Sequence, residues 1–332
     1  MGAVAAWMER HQVPLYLVAL CLGGAIGLLL PGVAGPAEAS INPVLGLLLF
    51  ATFLGVPFAR IGRAVRDWRF LSTVLVVNFV AVPVVVWLLS RLVAHDQALL
   101  IGVLFVLLTP CVDYVIVFTG LAGGAKDRLL AAAPLLMLAQ MLLLPLFLWL
   151  LVGAAFVERV DLTPFVEAFL LLVVVPLAAA GLTQLAAARS RWGARVRDAV
   201  LGAMVPLMML TLAVVVASQV GDVGRRIGAL VQVIPVYVLF AGAMLGVGAV
   251  AGRVAGLDVP GRRAIVFSGV TRNSLVVLPL ALALPSAFDL APLVVVTQTL
   301  VELIVMVVFV RLIPRLFPVG SEDQEGTVAS AA

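Results

Sequence analysis

Asp113, Arg272 and Glu302 are the charged residues that fall well inside long apolar stretches of this chain. Ionisable side chains at membrane depth are costly, and they mark ion or substrate paths more often than packing. Asp113 closes the run Thr109-Pro110-Cys111-Val112-Asp113-Tyr114, which sets an acid, a thiol and hydroxyls within a few residues of a proline. Pro110 removes a backbone donor and clashes with the preceding turn, so a helix here kinks or breaks. A second polar run, Thr271-Arg272-Asn273-Ser274, interrupts another apolar stretch about 160 residues later. Paired interruptions in two halves of a chain point to a carrier's binding site.

Several kinds of chemistry are open to these groups. Arg272 stays protonated when buried and calls for an anionic partner, with Asp113 first and Glu302 second. The pair is then either a structural lock or a means of holding an anionic substrate or replacing a transported cation. A desolvated Asp113 or Glu302 takes up and releases protons near neutrality. Gln298 lies four residues before Glu302 and shares its helix face. Asn78, Gln140 and Gln298 are placed as supporting polar groups around the site. Cys111 is a small hydrophobe by default, and beside a break its thiol is also a soft ligand open to solvent.

The elements that position these groups follow from composition. Hydrophobic residues are 64% of the 332 and charged residues 11%, against about half and about a quarter in soluble domains. The chain is therefore an all-α integral membrane protein in the lipid bilayer, with nothing left for a soluble catalytic domain. No nucleophile, base and orienting partner cluster as an enzyme requires. Two cysteines and two histidines build no metal site or disulfide framework, and no cofactor or nucleic-acid partner is expected. The net charge of +4 comes from loop arginines that report orientation.

Ten apolar runs are long enough to span a bilayer: 13–30, 41–57, 70–92, 98–120, 129–152, 163–186, 199–219, 229–250, 262–284 and 291–313. Arg60, Arg63, Arg66, Arg69, Lys126, Arg128, Arg189, Arg191, Arg195, Arg197, Arg253, Arg262 and Arg263 crowd alternate loops. The positive-inside bias puts those loops and both termini in the cytoplasm, with the plasma membrane as the location. Ala133-Pro134-Leu135 with Gln140 and Leu142 recurs as Ala291-Pro292-Leu293 with Gln298 and Leu300. Five spans per half make the halves an inverted-topology repeat, 1–157 and 158–316, followed by a disordered cytoplasmic tail, 317–332. Helices four and nine are the discontinuous ones, and they are expected to cross.

Thr109-Pro110-Cys111, with Gly120-Leu121-Ala122-Gly123-Gly124 beyond it, resembles the arsenite-efflux permeases of the yeast arsenical-resistance type. Leu300-Val301-Glu302-Leu303-Ile304-Val305-Met306 resembles their last span, and Asn78 with Pro83 their third. These permeases share a superfamily with the bile acid:sodium symporters, whose fold has two inverted five-helix repeats with helices four and nine unwound and crossed. The resemblance implies that Cys111 meets trivalent arsenic and that Glu302 is coupled to proton exchange. Asp113 and the 271–274 run depart from the arsenite branch, and Asn273-Ser274 looks closer to the bile acid branch. That branch's sodium-binding Ser-Asn pair falls on Val115 and Ile116, its glutamate on Ser268 and its glutamine on Arg272. Sodium needs several oxygens around it, as other hard cations do, so sodium coupling is disfavoured. The expected function is proton-coupled efflux of arsenite, antimonite or a related small oxyanion. Its substrate contacts are Thr109, Cys111, Asp113, Tyr114, Arg272, Asn273 and Ser274. The alternatives are symport of a small organic anion and a non-transporting membrane scaffold.

Overall fold

The computed structural model describes residues 7–8, 11–55, 66–112, 114–153, 170–282, 284 and 286–318. These residues are helical, with short 3-10 and π turns and one isolated β-bridge. The helices are α1 (Gln12–Leu29), α2 (Ala34–Gly55), α3 (Trp68–Val76), α4 (Val82–Ser90), α5 (Gln97–Leu107), α6 (Tyr114–Leu121), α7 (Lys126–Val152) and α8 (Val175–Arg189). They continue as α9 (Arg191–Gly202), α10 (Met204–Arg225), α11 (Ile227–Leu230), α12 (Val233–Val254), α13 (Val259–Val270), α14 (Ser274–Leu282) and α15 (Ala291–Leu316).

Large apolar side chains face outward along them, among them Leu142, Val254, Ile304 and Val250. Contiguous apolar surface on this scale belongs in lipid. Among the described residues, five helical stretches are each long and apolar enough to cross a membrane, or six if α7, bent by 49° between Gln140 and Leu142, is one span. Ten were expected from the sequence. Part of the difference is physical: the runs at 98–120 and 262–284 are each divided into two short helices. The 163–186 run is described only from Leu170. The boundary between 157 and 158 and tail residues 319–332 lie outside the described residues.

Prolines shape the irregular turns. Pro83 follows a π turn at Val77–Ala81, and Pro176 follows another at Leu170–Val174. Proline cannot bond to the carbonyl four residues back and pushes against it. A turn widened by one residue accommodates both defects. The π turn links α3 to α4 and carries Asn78, which the chain buries completely.

The helices pack in two groups. α10 lies along α1 and α2, and α8 packs on α2. A Cβ on Gly23 would come within 2.5 Å of Ala213 O, and one on Gly27 within 2.4 Å of Ala217 O. Only glycine permits that approach of α1 to α10. The other group surrounds the divided helices: α12 on α13, and α15 on α5, α12 and α14.

Candidate functional site

The two divided segments are built alike. Asp96 caps α5, its Oδ1 accepting from Ala98 N (2.8 Å) and Leu99 N (3.2 Å). Asp258 caps α13 by accepting from Gly261 N (3.2 Å). Each cap satisfies an amide that the first turn leaves free. Each helix then ends near a threonine whose hydroxyl turns back on its own last turn. Thr109 Oγ1 donates to Phe105 O (3.0 Å) and Val106 O (3.1 Å), and Thr271 Oγ1 donates to Phe267 O.

Beyond the threonines the two chains meet. Cys111 N donates to Thr271 O (3.2 Å), and Asn273 N donates to Thr109 O (2.9 Å). Pro110 and Arg272 face each other between those bonds as the antiparallel bridge. They form the pair without mutual hydrogen bonds, so the backbone groups of each point away from the partner strand. Pro110 therefore gives up no bond there by lacking an N–H. Arg272 has an N–H, and it donates to Glu302 Oε2 (2.8 Å). Gln298 Nε2 donates to the same carboxylate oxygen. Asn273 Oδ1 accepts from Val276 N (3.3 Å), giving α14 its start.

The guanidinium of Arg272 is wholly buried, with 0% exposure. Its Nη2 donates to Asn78 Oδ1 (2.9 Å), Ser268 O (2.6 Å) and Gly269 O (2.7 Å), and its Nη1 donates to Leu107 O (3.3 Å). Asn78 Nδ2 in turn donates to Ser268 Oγ (2.9 Å), and the Phe240 ring lies 5.4 Å from the guanidinium carbon. A cavity of ≈ 10 Å³, room for about one water, lies against Glu302 between Leu107, Tyr237, Phe240, Val270 and Gln298. A second of the same size touches Ser274 and Thr299, whose hydroxyls bond at 2.8 Å, and faces Leu20, Leu212 and Val216 of the other helix group.

Thr109, Cys111, Arg272, Asn273, Ser274, Glu302, Gln298 and Asn78 are thus brought to one buried crossing. Two of the expectations change, those for Asn78 and Cys111. Asn78, placed in a supporting position by the sequence, touches Arg272 directly. Glu302 accepts from the backbone N–H of Arg272. Cys111, expected to meet solvent at the break, is fully buried. Gln140 is buried in α7, its carbonyl oxygen meeting no donor among the described residues. Tyr114 opens α6. Asp113, and with it the pairing of Asp113 to Arg272, lies outside the described residues.

Sequence reasoning gave Ser268, Phe240 and Thr299 no role in the site. Thr299 carried a signal, being one turn from Glu302 on α15. The carbonyls of Leu107, Ser268 and Gly269 carried none, because every residue has one.

Residues 42–226, more than half of the chain, match the model of the sodium bile acid symporter family. The match takes in the first break and stops short of the second and of Glu302. No curated protein matches the chain.

Proposed function

The chain belongs to the sodium bile acid symporter family, whose members are membrane transporters, and on that premise we propose that it exports trivalent arsenic or antimony in exchange for protons. The observation that carries this reading is a thiol and a carboxylate joined through one crossing. Cys111 bonds by its backbone to Thr271, and Glu302 to the next residue. Arsenous acid is a soft, uncharged solute, and sulfur is its preferred ligand. Its capture forms one S–As bond while the thiol proton leaves with one hydroxyl as water, and release reverses both changes. A single thiol holds the cargo loosely enough to let it go.

Glu302 is the proton carrier in this reading. Thr109, Asp113, Tyr114, Asn273 and Ser274 line the path, and Asn78 and Gln298 hold the acid and the crossing in place. The burial of Cys111 corresponds to an occluded state that opens when the two helix groups separate. Ten spans in two inverted halves, 1–157 and 158–316, with both termini in the cytoplasm and the plasma membrane as the site, complete the proposal. The equal distances from cap to break support the repeat: Asp96 precedes Thr109, and Asp258 precedes Thr271, by the same 13 positions.

The test is arsenite accumulation in cells stripped of their own exporter. Expression should lower it, and Cys111→Ser should restore it. Equal accumulation with and without the chain refutes the proposal. A second reading, symport of a small organic anion, draws on the family. Carboxylate uptake that survives Cys111→Ser would favour it.

A further inference from the structure

Arg272 stands between the C-terminal ends of two half-helices. Leu107 is the last residue of α5, and Ser268 and Gly269 belong to the last turn of α13. Three backbone carbonyls and the side-chain oxygen of Asn78 therefore converge on one permanent positive charge. Helix C-termini carry partial negative charge. In carriers made from divided helices, such ends and unwound carbonyls are what coordinate sodium or protons. A hard cation asks for this type of cage, several oxygens from different elements.

From this geometry we infer that Arg272 is a tethered cation. It fills, by covalent attachment, the place that a dissociable alkali ion would take. The guanidinium carbon also lies 5.4 Å from the centre of the Phe240 ring, a cation–π contact added to the oxygen cage. The carrier then works without sodium although its family is named for it. This inference is independent of the cargo proposed above, so failure to move arsenite leaves it standing.

The experiment measures thermal unfolding of the full chain in lipid nanodiscs. Sodium chloride is compared with choline chloride at constant ionic strength, for the wild type, Arg272→Ala and Arg272→Gln. The wild-type midpoint should be the same in both salts. Arg272→Ala vacates the cage, so it should gain a saturable rise in midpoint with sodium or lithium, as binding to the folded state alone requires. Methylguanidinium at millimolar concentration should raise the Arg272→Ala midpoint and leave the wild type unmoved. A sodium-dependent rise in the wild type overturns the inference. So does a folded Arg272→Ala or Arg272→Gln chain that ignores sodium, lithium and methylguanidinium alike. Should neither neutral variant accumulate, the wild-type comparison decides: a sodium effect sinks the idea and its absence sustains it.

Discussion

The break at Thr109-Pro110-Cys111 and the break at Thr271-Arg272-Asn273 share a design and differ in charge. Both have an aspartate cap 13 residues upstream and a threonine hydroxyl folded onto a phenylalanine carbonyl four residues back. Both give one N–H and one C=O to the other. At the middle position one has proline and the other arginine. Proline has no N–H to satisfy; arginine's N–H requires an acceptor and finds Glu302. The 158-residue spacing that relates Gln140 to Gln298 relates Leu144 to Glu302, so the acceptor that serves the arginine break has an apolar counterpart at that spacing. The difference teaches that Glu302 answers an N–H that only the second break presents, while the thiol of Cys111 sits on the first.

The comparison breaks most strongly at Arg272. Arg272→Met empties the carbonyl cage and strands several buried acceptors, each at about 1–3 kcal/mol, read as a fall in the unfolding midpoint. Glu302→Leu removes the acceptor and strands the Arg272 N–H, at about 1–3 kcal/mol. Glu302→Gln keeps an acceptor for that N–H, so it should retain most of the stability while losing proton-dependent flux in vesicles. A Glu302→Gln chain whose flux still follows an imposed pH gradient would remove this acid from the coupling role.

The two caps sharpen the likeness. Asp96→Ala and Asp258→Ala should each cost about 1 kcal/mol, with Asp258 somewhat the larger because it also bonds Arg128 at 2.6 Å. Both partners of that bridge are more than a third exposed, which keeps the surplus small. Smallest of all, Thr109→Val and Thr271→Val each lose a hydroxyl bond worth about 0.5–1.5 kcal/mol. They should match each other, as equal midpoint shifts would show.

Much of this was legible in the chain. Pro110 announces its break, because proline in an apolar helix has few structural outcomes. Thr271-Arg272-Asn273-Ser274 announces the other, because four polar residues cannot lie on a lipid-facing helix. Span ends read from hydropathy fall near the observed helix ends, as with 70–92 against the stretch that begins at Trp68. Register across the crossing was hidden. Hydropathy does not tell which carbonyls Arg272 meets, since backbone acceptors exist everywhere and only geometry selects them. Asn78 was underrated for a similar reason: ordinary helical spacing from Pro83 does not place it, because a π turn intervenes.

That wide turn also fixes how long its helix must be. Each residue of an ordinary helix rotates the chain by about 100°, and the turn at Val77–Ala81 holds one more residue than such a helix would. Deleting a single position there would let the rod run straight, yet it would swing everything upstream by more than a quarter of a circle. The amide that now reaches Ser268 and Arg272 would then sweep towards the acyl chains, so the spacing between Asn78 and Pro83 behaves as a fixed gear setting.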